Sequence, residues 1–291
     1  MKKTFQSIFD FLLFSNVFMA LCAVAQALVT FHLIKTPPAY PVLGLLFAST
    51  LGIYNFCILI DKANDPQRSP YLRIRWFYGH YRLMVTITIV CLLCLLPLFF
   101  LVSMPSRLLL VFLGILSFAY GLPLFSIAGH QFGLRNIPGL KAFLITLVWT
   151  LSIVLLPVLE AQDQLTTISM GDTMLLIAKR FLFIAALTIP FDIRDLFEDR
   201  KHNLRTIPVV WGEKKAYLFC QFLLGGYIVL LFLFRNNGFT NDFFALTLTA
   251  ILTGWLIFKS GWQKNEYYYF FYLDGVLILQ YVTLVLFSQI G

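Results

Sequence analysis

Nine stretches of about 17–23 residues run along this chain with very few charged side chains in them. They cover roughly 11–33, 41–61, 82–103, 107–124, 139–158, 173–193, 214–234, 241–259 and 267–289. A helix of about 20 residues rises about 30 Å, enough to cross the hydrocarbon of a bilayer with every backbone amide satisfied inside the segment. Only 12% of the residues are charged, about half of what a soluble domain carries, so these runs read as membrane spans. Turn signals separate them: Pro37-Pro38, Pro66 and Pro70, Pro105, Pro123, Pro138-Gly139 and Asn236-Asn237-Gly238. The gap between the third and fourth runs is short and predicts a tight helical hairpin. Met1-Lys2-Lys3 precedes an apolar run with no small-residue cleavage site, so the first span is expected to stay. The fold class that follows is all-α, a polytopic membrane protein forming a single domain over 1–291.

The net charge of +8 records orientation. With the N-terminus in the cytoplasm, seventeen of the 22 Lys and Arg residues fall on the cytoplasmic side. Lys35, Arg107, Lys179, Arg180 and Arg235 fall outside, and an odd number of spans puts the C-terminus outside too. A nucleic-acid partner is therefore not needed to explain the basic balance. Cys91 and Cys94 form a CxxC within an apolar run that lacks other ligands, so they read as small hydrophobes. The four histidines have no spaced partners, which argues against a zinc site.

Against this apolar background one stretch stands out, PFDIRDLFEDRKHNLRTIPVVWG, running from Pro190 to Gly212. Asp192, Asp195 and Asp199 stand at i, i+3 and i+7, one face of a continuing helix. Three carboxylates at the mouth of a membrane helix repel one another unless a cation takes up the charge, and a hard divalent ion such as Mg²⁺ suits them. Arg194, Arg200, Lys201 and Arg205 lie among and after them and offer donors to phosphate oxygen. Carboxylates for a metal beside cations for an anion suggest a diphosphate. The alternative is an ordinary charged loop obeying the positive-inside rule. A second acidic cluster follows the second span, with Asp61 and Asp65 at i and i+4 and then Arg68, Arg73 and Arg75. The two clusters could face each other across one cytoplasm-facing cavity.

The stretch Asp192–Ala216, DIRDLFEDRKHNLRTIPVVWGEKKA, resembles the second aspartate-rich motif of the UbiA superfamily of intramembrane prenyltransferases and the loop after it. GLRNIPGLK, within Tyr120–Lys141, is similar to that family's loop between helices four and five. The resemblance implies nine helices with the two acidic motifs after the second and sixth. It also implies transfer of a prenyl group from an isoprenoid diphosphate to a lipophilic acceptor, usually aromatic and quinone-precursor-like, inside the bilayer. Mg²⁺ would bridge the diphosphate to Asp61, Asp65, Asp192, Asp195 and Asp199. Asn55, Arg68, Arg135, Lys141, Arg194, Arg200, Lys201 and Arg205 are the candidates for substrate contact.

The first motif departs from the family pattern of an Asn-Asp pair followed by aspartates at four-residue steps. Asn55 is present, but Phe56, Leu59 and Ala63 stand where the carboxylates belong. Six residues separate Asn55 from Asp61, which sets them about 120° apart on a helix wheel. Asp61 and Asp65 either replace the missing carboxylates in a rewired site or are only loop charges. In the second case the chain is a catalytically degenerate member that binds an isoprenoid or quinone. A small-molecule transporter is a further alternative, but its carboxylates would sit near the midplane. Asp274, about two turns into the last run, is either functional or a partly solvated residue near the helix start.

Overall fold

The computed structural model describes residues 2–60, 66–121, 125–127, 130–132, 139–163, 168–201, 204–233, 239–261 and 263–289. Asp61, Asp65 and Arg135, expected in the site, lie outside the described residues, as does the side chain of Lys201. Helices α1 (Lys2–Phe14), α2 (Val17–Leu33), α3 (Tyr40–Ile60), α4 (Leu72–Gly79), α5 (Tyr81–Phe100) and α6 (Met104–Gly121) make the first part. A small antiparallel ribbon follows, β1 (Phe125–Ile127) with β2 (His130–Phe132), pairing Phe125 with Phe132. It is a local exception among the described residues, whose other regular elements are helical. Then come α7 (Leu140–Thr150), α8 (Leu156–Asp163), α9 (Met170–Arg194), α10 (Leu196–Lys201) and α11 (Ile207–Trp211). The chain ends with α12 (Glu213–Leu233), α13 (Asn241–Lys259) and α14 (Asp274–Ser288).

Among the described residues, seven helices are long and apolar enough to cross a membrane, and an eighth crossing is formed if the bent pair α1–α2 counts as one. The fourth expected span, α6, is apolar but shorter. The fifth runs through α7, a π turn at Leu151–Leu155 and α8 as one apolar helix. Side chains such as Leu93, Leu96, Phe222 and Phe258 point outward and would meet lipid, as hydrocarbon solvent requires.

The core explains the arrangement. Helix α2 packs on α3 and α14, α14 on α13, α13 on α12, α12 on α9 and α9 on α7. The π turn closes this circuit onto α2. Phe183, Tyr227, Tyr269 and Leu273 sit fully buried in the middle. The expected hairpin of α5 and α6 is corrected here. Helix α5 packs chiefly against α3, while α6 leans on α7 and α8. The connecting turn is pinned elsewhere, because Glu160 of α8 accepts from both the Ser103 amide (2.9 Å) and its hydroxyl (2.6 Å).

The bend of 62° between α1 and α2 has a local cause. Asn16 occupies the left-handed region at φ 68°, which a β-carbon tolerates poorly. Its side-chain amide donates to Asn55 Oδ1 at 2.6 Å, inside the bundle. Asn16→Ala should therefore cost about 2–3 kcal/mol, losing both the bond and the residue type that accepts this backbone. Asn16→Gly loses only the bond and should melt between the variant and the parent in detergent.

Candidate active site

One cavity of about 220 Å³ lies between α2, α3, α4, α7, α9 and α14, far more than a single water requires. Its interior is walled by Met19, Trp149, Ile184, Leu187, Phe270 and Leu277, and its polar groups gather at one end. Two π turns adjoin it. Trp149 stands just before the first, Phe270 lies within the second (Tyr268–Leu273), and Asp274 follows directly. A π turn shifts side-chain register by a residue, so its neighbours leave the faces a regular helix would assign them. Asp274 is accordingly buried and lines the cavity instead of meeting solvent near the helix start. Tyr54 lines it too, held in place as its hydroxyl accepts from Trp149 Nε1 at 3.1 Å.

Of the three aspartates, Asp192 and Asp195 line the cavity. The helix does not run on unbroken through them. Asp195 is the C-cap of α9 at φ −88°, ψ 8°, and α10 restarts at Leu196 with the Asp199 amide donating to the Asp195 carbonyl at 2.8 Å. The face they were expected to share is split between two of the protein's own cations. Lys141 Nζ lies 2.8 Å from Asp192 Oδ1 and 3.5 Å from Asp199 Oδ2. Asp195 is instead gripped by Arg194, whose Nε donates to Oδ1 at 2.8 Å and Nη2 to Oδ2 at 2.9 Å. The Tyr71 hydroxyl adds a bond to Oδ1 at 3.3 Å.

The electrostatics follow. Burial by itself would raise the Asp195 carboxyl, but the charge and hydrogen bonds of Arg194 outweigh it and hold the group below the usual carboxylate range. Asp199 goes the other way, raised by burial, which Lys141 only partly offsets. Arg73 is pulled below its ordinary value by burial and then by the like charge of Arg194. Arg194 is also stacked among rings, its guanidinium carbon 5.2 Å from the centre of Phe270 and 5.3 Å from that of Phe191. Arg73 reaches the same Phe270 ring at 5.2 Å.

Arg73, which follows the second acidic cluster but is not among the sequence candidates for substrate contact, lines the cavity. Glu266, nearly two hundred residues away, positions it by accepting the first backbone amides of α4, those of Leu72 and of Arg73 (3.0 Å). A carboxylate at a helix start satisfies otherwise orphaned donors. No spacing in the chain signals that contact. The remaining candidates stand apart. Asn55 is fully buried against Asn16, while Arg68, Arg200 and Arg205 are exposed. The Arg205 carbonyl accepts from the Gly139 amide at 3.2 Å, which ties the segment after α10 to the start of the helix that carries Lys141.

Among the described residues no three acidic, histidine or cysteine side chains gather to hold a metal by themselves. Two oxygens nevertheless converge on one cation, the Lys141 ammonium, and the buried Asp192 Oδ2 has no hydrogen-bond partner among the described residues. Hard oxygen donors with one lone carboxylate oxygen to spare fit a hard divalent ion.

The UbiA prenyltransferase family model matches residues 80–273, which takes in Asp192–Ala216 and leaves the first acidic cluster outside. The chain belongs to the UbiA prenyltransferase family. No curated protein matches the sequence. Among solved structures the chain is similar to a UbiA homologue from Archaeoglobus fulgidus bound to GPP and Mg²⁺, at 14% identity and a TM-score of 0.67. That match covers 96% of this chain and 99% of the other. The same homologue bound to DMAPP and Mg²⁺ gives 14% and 0.64, covering 97% and 100%. The apo UbiA homologue from Aeropyrum pernix K1 gives 14% and 0.65, covering 94% and 98%. At this identity the likeness speaks for the fold, a multi-pass helical membrane protein.

Proposed function

We propose that this chain transfers a prenyl group from an isoprenoid diphosphate to a lipophilic, quinone-precursor-like aromatic acceptor inside the membrane, in a Mg²⁺-dependent reaction. The observation that carries the reading is one cavity with Asp192, Lys141, Arg73 and Arg194 at its polar end and aromatic and aliphatic walls behind them. The homologue structures holding GPP or DMAPP with Mg²⁺ support it at the level of the fold. Asp192 and Asp199 are the residues that would hold the ion, and Asp61 and Asp65 are the further donors expected from the sequence. The bound ion supplies Lewis-acid neutralisation of the leaving diphosphate. Lys141, Arg73 and Arg194 bind and orient the diphosphate oxygens and stabilise the negative charge that grows on them as the allylic C–O bond lengthens. Asp195 keeps Arg194 aimed. Trp149, Phe270 and Leu277 exclude water, which would otherwise trap the allylic cation, and give the isoprenoid an apolar bed. Asp274, facing the same space, is placed to take the proton the acceptor releases. The polar end of the cavity is assigned to the cytoplasmic side by the distribution of Lys and Arg, with the N-terminus cytoplasmic and the C-terminus outside.

The test is turnover by purified protein in lipid nanodiscs, given labelled DMAPP or GPP and a panel of phenolic and quinone-like acceptors. Prenylated acceptor and free diphosphate that appear only with Mg²⁺ support the proposal. Tight binding of the diphosphate with neither product would replace it with the degenerate, ligand-binding reading, which the altered first motif favours. Glu266→Gln offers a finer check. With only one carbonyl oxygen to cap α4, Arg73 loses its support, and KM for the prenyl diphosphate should rise about tenfold while kcat changes little.

A further inference from the structure

A second cavity, of about 340 Å³, lies between the C-terminal end of α2 and α9, α12 and α13. Fourteen residues of α9 separate Arg180 here from Arg194, so the charged groups of the two cavities lie about 21 Å apart along that helix. Lys179 and Arg180, counted on the outer side although the sixth expected run begins at 173, sit well inside α9, and Arg180 is only 2% exposed. A basic pair in the body of a spanning helix is costly and calls for a partner.

The protein supplies only half of one. Arg180 Nη1 donates to Gln280 Oε1, and Gln280 in turn donates to the Tyr227 hydroxyl at 3.2 Å. Gln26 braces the same oxygen from α2 at 3.1 Å. These neutral groups fix the guanidinium without neutralising it, and its buried Nη2 has no hydrogen-bond partner among the described residues. The carboxylates described at this end already have partners of their own. Asp172 accepts from the Ser169 hydroxyl at 2.7 Å in its helix cap, Asp242 pairs with His32 at 3.0 Å, and Glu160 holds Ser103. Lys35, exposed at the end of α2, and the partly exposed Lys179 join Arg180, and among the described residues of the lining the capped Asp172 is the one carboxylate opposing these three cations. Leu175, Leu176 and Leu246 are part of its apolar wall.

We propose that this cavity binds the phosphate of an anionic lipid, with Arg180 Nη2 as the buried donor, Lys179 and Lys35 as the rim, and the acyl chain along the leucines. Phosphate oxygens satisfy a fixed guanidinium donor and two flexible ammoniums at once, and a free ion would gain nothing from the apolar wall. The site is independent of the prenyl-transfer reading, since it shares no residue with the first cavity.

The experiment is calorimetric titration of the full chain in non-ionic detergent with dihexanoyl phosphatidylglycerol, dihexanoyl phosphatidylcholine and inorganic phosphate. Phosphatidylglycerol should bind at least about tenfold more tightly than either of the others, as a charge-assisted bond and a buried chain together require. R180Q should weaken it about tenfold and the K35Q/K179Q double variant about fivefold, with Asp192→Asn leaving it unchanged. The double variant changes only rim side chains and decides the matter should R180Q not fold. Equal affinity for the two lipids, inorganic phosphate matching the lipid, or unaltered binding in the folded double variant would overturn the proposal.

Discussion

Asp192→Asn should lower prenyl transfer by about a hundred- to a thousandfold while leaving the fold intact. The substitution is isosteric, and the residue is buried, so packing around α9 is kept. What changes is the charge. Lys141 then loses its 2.8 Å partner and keeps Asp199 at 3.5 Å, and the Asp192 oxygen without a partner among the described residues is no longer part of a carboxylate. Both consequences fall on the place where a divalent ion and diphosphate would meet. A drop in kcat with the melting temperature within a few degrees of wild type is the expected pattern. Diphosphate release measured under saturating substrate reads it directly.

Arg194→Met should destabilise the protein by about 3–5 kcal/mol, because it strands the Asp195 carboxylate in a half-buried site. The pair is bidentate, so both oxygens of Asp195 lose their main donor at once, leaving the 3.3 Å bond from Tyr71. Asp195 is held below its ordinary value in the fold, so the pair's stabilisation is fully present above about pH 4 and fades as pH falls through the depressed value. The variant lacks this dependence and should differ most from wild type near neutrality. Adding Asp195→Asn to Arg194→Met should recover part of the loss, since the stranded charge is gone. Thermal unfolding in one detergent, with all three variants and wild type, closes this cycle.

The spans were legible because a bilayer imposes length and apolarity together, and α3, α5, α9, α12, α13 and α14 fall close to where the apolar runs lie. The exceptions have local causes. The first run is bent at Asn16, whose left-handed backbone a hydropathy pattern does not register. The α5–α6 connection is as short as a hairpin's, but Glu160 holds it to another helix. The acidic stretch was legible for a simple reason, that charges at helical spacing are conspicuous beside membrane helices. Their partners were not. Period alone assigns Asp192, Asp195 and Asp199 to one cation, whereas the C-cap at Asp195 turns it toward Arg194 and leaves the other two to Lys141. Arg73 arrives on a short helix whose position depends on Glu266, and Asp274 is aimed by a π turn. Contacts of that range and shifts of that kind leave no periodic trace in a single chain.

The central claim is that the first cavity is a diphosphate site whose cations and carboxylates act together. The most direct measurement is a titration of purified protein with an unreactive isoprenoid diphosphate analogue, with and without Mg²⁺, in wild type and Asp192→Asn. Binding that strengthens at least about tenfold with Mg²⁺ in the wild type, and loses that gain in the variant, is the predicted result. Equal binding in all four conditions would contradict it, and would mean that the aspartates at the end of α9 serve the fold and not a substrate.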